Sequence, residues 1–450
     1  MVSLSNHEGR TAADAPGPAG VVSAGSIGHS DIGPNAAGES AMTISRRDLL
    51  AASAAAPVVG LAGAGNAASL PATAAFPKMK GAYFNASSIH PLPLGAKAAL
   101  MEYMTNRHAL LVNDDFPERR AKVLTAFGKL VGASPDELMV TQSTTMAENL
   151  IIRALGLPQG GGRIVTDALH FTGSMYMYSE LGKAGMDVVT LPMTRDGRIG
   201  MDALDAALNK KTKLVSVSAV SATNGFQHDL KRVCDAAHAH GALVYVDLIQ
   251  GAGTVPIDLR AAGADFAASS CYKYLMGDFG IGFLYVRKET QARLQRPWWG
   301  YFQVGKEVDT HVLPYDPPAS HVADYRAVPG PEGTFAMGTT SWTGVVQLGY
   351  SLPWLLSLGV ENIQAWRQPM MDTIQAELRR RGYQVITPQG SRTQVVAVAM
   401  KDAERKLAER MKKADIQLTL LTNRIRISVS TFNTMNDVDR LLGALPARPG

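Results

Sequence analysis

The chain has 450 residues, 46% of them hydrophobic, enough for one large and one smaller domain. Its formal net charge of +5 is small for this length and is not gathered into a basic run, which argues against nucleic-acid binding. The two cysteines, Cys234 and Cys271, lack metal-ligand spacing and make no disulfide framework.

Residues 1–75 are rich in Ala, Gly and Ser, hold no Phe, Trp or Tyr, and read as a disordered leader. Within them Ser45-Arg46-Arg47-Asp48-Leu49-Leu50 precedes an uncharged stretch from Ala51 to Gly65. A twin arginine before a short apolar run is the pattern of a Tat export signal, and the run is too short to span a bilayer comfortably. Small residues around Ala62-Gly63-Ala64 and Asn66-Ala67-Ala68 offer cleavage points, and Met42 offers an alternative start. The expectation is a periplasmic or secreted protein with no membrane anchor after cleavage. The bland alternative is an Ala-rich tail with a chance arginine pair.

From Lys78 onward, apolar strand-like runs alternate with helical patterns. Runs at 163–166, 187–191, 213–218, 243–246 and 283–286 read as buried strands, with helical stretches such as 201–208 and 230–240 between them. That alternation predicts an α/β domain with a mostly parallel central sheet, placed at 76–345 together with the N-terminal segment. A helix-rich stretch from Val345 to Arg381 reads as a connector. The tail then reads strand, helix, strand, helix, which predicts a smaller C-terminal α/β domain within 346–450. A site between the two domains, at the C-terminal ends of the parallel strands, is expected.

Candidate residues follow in chain order. Ser143-Thr144-Thr145-Met146-Ala147-Glu148 opens a helix after the strand-like 138–140, and Thr145 and Glu148 have capping-box spacing. Hydroxyls at a helix N-terminus bind phosphate or simply cap the helix, and the two roles are compatible. Phe171, after His170, either stacks on a planar ligand or packs in the core. Asp247 ends a buried strand, where a carboxylate needs a cation or several donors, or else caps the turn. Arg424 and Arg426 alternate in strand fashion and share one face; there they clamp a carboxylate or stand in solvent. Lys273 ends the mostly apolar run Ala264 to Tyr272, and desolvation makes such an amine nucleophilic.

The order of these features carries more than any one of them: a phosphate-type turn, an aromatic, Asp-x-x-Gln at a strand end, a lysine, then a C-terminal arginine. With Val246-Asp247-Leu248-Ile249-Gln250-Gly251 and Ser270-Cys271-Tyr272-Lys273-Tyr274-Leu275, the chain from Ala82 to Leu445 resembles the class V aminotransferase superfamily. The resemblance implies a fold-type I transferase fold and pyridoxal 5′-phosphate held by Lys273 as a Schiff base. It implies Asp247 on the pyridine nitrogen, Gln250 near the phenolic oxygen, and Thr144, Thr145 and Ser270 on the phosphate. Phe171 would stack on the ring, as in kynureninases, and Tyr272, in a kynureninase-like Tyr-Lys pair where desulfurases usually have His, would contact the cofactor. Arg426 would bind a substrate α-carboxylate. Thr339, in Gly338-Thr339, would reach the phosphate of the partner subunit in a homodimer.

Two departures from the pattern matter. No cysteine follows Cys271, so the loop thiol of desulfurases is missing and a persulfide route is not expected. Ala222 stands where the family often has Asn. The cluster Trp298-Trp299-Gly300-Tyr301-Phe302 lines a pocket or packs an interface, and packing is the simpler reading. The resemblance is closest to isopenicillin N epimerase-like proteins. It implies an enzyme acting on an α-amino acid or an amino-acid-derived group by epimerisation, Cβ–X cleavage or amino transfer. A kynureninase-like hydrolase and a non-catalytic binding protein of the same fold are the alternatives.

Overall fold

In the computed structural model, which describes residues 69–111, 115–305 and 308–448, the first strand, β1 (Ala82–Phe84), does not join the strands that follow it in sequence. The twin-arginine segment lies outside the described residues. Strands β2 (Leu138–Thr141), β3 (Arg163–Asp167), β4 (Asp187–Leu191), β5 (Thr212–Ser218), β6 (Leu243–Asp247), β7 (Phe266–Ser270) and β8 (Gly282–Val286) form one sheet. Their order is β2-β8-β7-β6-β5-β3-β4, and β8 alone runs antiparallel, against both β7 and β2.

This sheet is apolar on both faces because helices cover both. Alternation along β6 sends Val244 and Val246 to one core cluster and Leu243 and Tyr245 to the other. The register sets Ser218 beside Asp247 and Asp247 beside Ala268, so the polar residues that end the parallel strands line one edge. The expected mostly parallel α/β sheet is what forms.

After the hairpin β9 (Asp309–Thr310) and β10 (Ala323–Asp324) come two long helices, Trp342–Leu358 and Val360–Arg380. They part at Gly359, whose φ of +77° suits a residue without a Cβ. A domain boundary at 345/346 would cut the first of these helices. Its Val345, Leu348, Leu352 and Leu355 belong to the core of the large sheet.

The second sheet holds β11 (Gln384–Val385), β12 (Val395–Ala399), β13 (Ile416–Leu421) and β14 (Arg424–Ser428), in the order β1-β13-β14-β12-β11. Two strands expected in the tail are therefore four. The N-terminal β1 also belongs here, paired parallel to β13, and not to the large sheet. The packed chain begins upstream of residue 76: the Ala72 N–H donates to the Thr431 carbonyl at 2.8 Å, and Phe76 sits edge-on to Phe432 and Trp354.

Candidate active site

Lys273 lies three residues beyond the end of β7, in a turn closed by Met276 N–H to the Lys273 carbonyl (2.9 Å) and Gly277 N–H to the Cys271 carbonyl (2.9 Å). A Cβ on Gly277 would meet that of Cys271 at 2.9 Å, so the turn needs glycine. The lysine is 6% exposed, and among the described residues its amine has no hydrogen-bond partner. Burial lowers its pKa to about 8; Arg426 pushes the same way and Asp247 opposes. Its Nζ is 5.7 Å from the centre of the Tyr272 ring, which stacks on Phe279 at 4.5 Å. Burial, then Asp247, raises the Tyr272 phenol.

Asp247 is buried at the end of β6, and its Oδ1 accepts from the Ile249 N–H at 2.9 Å. Among the described residues no donor reaches the other oxygen. Burial holds its pKa above the usual carboxylate range, with His170 working against that shift. Such a carboxylate calls for a cation, and a protonated ring nitrogen is one.

Behind Asp247 lies a buried relay that pattern reading missed. The Phe171 N–H donates to His170 Nδ1 at 2.7 Å, so the ring proton sits on Nε2. Nε2 is 2.9 Å from Ser216 Oγ, which donates to Glu148 Oε1 at 2.9 Å. Ser174 and Tyr178 also donate to Glu148. These donors and His170 keep the Glu148 carboxylate ionised although burial opposes it. The expected Thr145–Glu148 capping box is therefore absent. Ser143 is the cap, accepting from Met146 N–H at 3.1 Å, and Glu148 turns inward because three hydroxyls await it there.

Thr144 opens the helix Thr144–Ala154 and is locked to the end of β7. Its N–H donates to Ser270 Oγ and the Ser270 N–H donates to Thr144 Oγ1, each at 2.9 Å. Thr145, next in the first turn, is exposed. First-turn N–H groups and two hydroxyls at a helix start fit a phosphate. Phe171 caps the helix Thr172–Lys183 and is 39% exposed, its ring against Gly173. Gln250 is buried; its Nε2 donates to the Ser87 carbonyl at 3.0 Å and its Oε1 has no donor among the described residues. Thr339 is exposed in a loop and touches none of these residues within one chain.

Arg426, in the middle of β14, is 9% exposed and has no carboxylate within ion-pair distance among the described residues. Its Nη1 donates to the Ala222 carbonyl (3.1 Å), and its Nη2 to Ser88 Oγ (2.6 Å) and Thr419 Oγ1 (3.1 Å); its Nε has no acceptor. Ala222 thus serves through its backbone. Asn224, two residues on, holds the loop by donating to the Gly197 carbonyl at 2.7 Å. Ser87 and Ser88 arrive from the segment after β1, a contribution no local pattern announced. The site therefore offers a nucleophilic amine, a cation-seeking carboxylate, a phosphate-type helix start and an arginine lacking an acid partner. Those donors fit pyridoxal phosphate.

The two sheets and the site between them define a fold-type I pyridoxal-phosphate enzyme. Residues 101–441 match the family model "Aminotransferase class-V", and the chain belongs to that family of pyridoxal-phosphate-dependent enzymes. It is 28% identical over 304 residues to a probable cysteine desulfurase of Methanothermobacter thermautotrophicus, covering 65% of this chain and 71% of that protein. It is 33% identical over 253 residues to a cysteine desulfurase of Dickeya dadantii, covering 55% and 57%. Among solved structures, Escherichia coli cysteine desulfurase CsdA has a TM-score of 0.71 at 21% identity, covering 83% of this chain and 97% of that one. A C-DES mutant with glycine covalently linked to its PLP cofactor has a TM-score of 0.71 at 18% identity, covering 82% and 97%.

Proposed function

We propose that this enzyme moves the Cα proton of an α-amino acid, with epimerisation in the manner of isopenicillin N epimerase-like proteins as the first reading. The observation that carries it is Arg426, a buried cation that has no acid partner among the described residues and bears electrostatically on Lys273. A substrate α-carboxylate supplies the missing anion, and doing so sets Cα near the lysine. Lys273, with an amine poised at about 8, takes and returns the proton. When bound, pyridoxal phosphate supplies the electron sink for charge left at Cα. In this reading Asp247 pairs with the ring nitrogen, Thr144, Thr145 and Ser270 hold the phosphate, Gln250 lies by the phenolic oxygen, and Phe171 and Tyr272 flank the ring.

A protein-bound persulfide is not part of this reading. Cys271 and Cys234 are both buried, and burial pushes the first thiol well up and the second to about 12, so neither supplies a thiolate. Release of a Cβ substituent, the chemistry named for the relatives, would need no enzyme thiol and is the second reading. The Tyr272-Lys273 pair, with its raised phenol, supports a kynureninase-like hydrolase as a third.

We read residues 42–68 as a Tat signal, which suits a protein that folds around a cofactor before export. Trp299, 85% exposed, and the exposed Thr339 support a homodimer with shared sites. The reading is tested by incubating the purified holoenzyme with single amino acids in deuterated water. Cα deuterium with inversion of configuration and an intact side chain identifies an isomerase. Keto-acid release with free ammonia and a lost Cβ substituent identifies elimination, and keto-acid release without ammonia identifies amino transfer. If no amino acid exchanges its Cα proton, the proposal fails.

A further inference from the structure

The hairpin between β8 and the helix Gly330–Phe335 gathers a group of side chains that the amino-acid chemistry does not use. β9 and β10 pair antiparallel, with Asp309 opposite Asp324, and the His311 N–H extends the ladder to the Val322 carbonyl at 3.0 Å. Strand alternation then puts Asp309, His311 and Asp324 on one face. His321 turns back onto the same carboxylate, its Nε2 being 2.7 Å from Asp324 Oδ1. One ligand atom from each of His311, His321 and Asp324 lies within 4.8 Å of the others.

The orientation of His311 is the informative detail. Its Nδ1 is 2.8 Å from the Pro317 carbonyl oxygen, which can only accept, so Nδ1 carries the ring proton. A neutral ring so fixed presents a lone pair at Nε2, facing Asp324 Oδ2 at 3.2 Å. A lone pair against a carboxylate oxygen repels unless a positive charge lies between them. The side chain of His311 is 7% exposed, and that of Asp324 is 48% exposed. A backbone carbonyl fixing Nδ1–H so that Nε2 points inward is the arrangement that orients metal-bound histidines.

We propose that His311, His321 and Asp324 bind a zinc(II) ion that staples the ends of the loop 312–320. Two imidazoles and a carboxylate are ligands of the right softness, and a water completes the tetrahedron. Ligands at ~2.1 Å around a tetrahedral ion stand ~3.4 Å apart, a spacing that side-chain rotation reaches from the observed cluster. The aspartate opposite Asp324 adds negative potential. The loop so closed carries Val312, Leu313 and Tyr315 exposed to solvent, with no core of its own to hold them.

The test is zinc content of the full-length protein after chelation, reloading with ZnCl2 and exhaustive dialysis, compared with His321→Ala and Asp324→Asn. Both substituted side chains are about half exposed, so neither variant loses its core. The proposal expects about one equivalent of zinc in the wild type and at least a tenfold fall in both variants. It also expects protease protection of 312–320 by zinc in the wild type and in neither variant. Equal zinc in all three proteins, or none in the wild type, overturns it and leaves a protonated His311 paired with Asp324.

Discussion

Arg426 bears electrostatically on Lys273, helping to depress its amine, and among the described residues neither cation has a carboxylate in hydrogen-bond contact. Two cations from different sheets, each buried, are costly unless an anion joins them. A substrate carboxylate bound there, as proposed above, would supply that anion.

Arg426→Met should lower kcat/KM toward α-amino acids by about 10²–10³-fold, the loss expected for one partner of a buried charge pair. Without substrate the same variant should lose far less stability than activity, because relief of an unpaired buried charge offsets the hydrogen bonds given up to Ala222, Ser88 and Thr419. Steady-state kinetics and urea titration of one preparation check both halves.

Lys273 makes stability depend on pH in the cofactor-free protein. Its pKa falls from 10.5 in the unfolded chain to about 8 in the fold, so between those values the unfolded state binds more protons and stability rises with pH. Lys273→Met should therefore stabilise the cofactor-free protein at pH 7, by at most about 3 kcal/mol. The gain should shrink above pH 8 and vanish near pH 10.5. Urea midpoints across that range measure it.

Asp247→Asn should retain bound cofactor but lose turnover by about 10²–10³-fold, because a neutral amide does not hold a protonated ring nitrogen. Absorbance of the bound cofactor and Cα exchange, measured side by side, separate the two effects.

Glu148→Ala should destabilise by about 3 kcal/mol, since Ser174, Tyr178 and Ser216 all lose a charged acceptor in a buried place. Glu148→Gln should cost less, because its carbonyl oxygen still accepts. Thermal unfolding ranks the three proteins.

Cys234→Ala and Cys271→Ala should each keep turnover within about twofold, since burial makes both thiols inert. A large loss with preserved folding would point back to a thiol in the chemistry.

The residues proposed for the chemistry stood out in the sequence because they end elements with a strong local pattern. Asp247 closes an otherwise apolar strand, Lys273 follows a mostly apolar run, and Thr144 opens a periodic helix. The misreadings fell where local cues are ambiguous. Glu148 has capping spacing from Thr145 but is drawn inward by hydroxyls from a helix and a strand far along the chain. β13 is only partly buried, and the strand, helix, strand, helix reading of the tail leaves it out.

By itself the sequence determined the α/β class, the strand ends and the order of amine, carboxylate and arginine, because hydrophobic periodicity and strand termination are written into neighbouring residues. Tertiary structure decided the rest. It moved β1 into the second sheet, set Ser87 and Ser88 against Gln250 and Arg426, tied His170 through Ser216 to Glu148, and left Arg426 without an acid among the described residues. Each of these depends on pairing between distant segments, and a strand pairs through backbone groups that every residue shares. No local pattern can therefore name its partner.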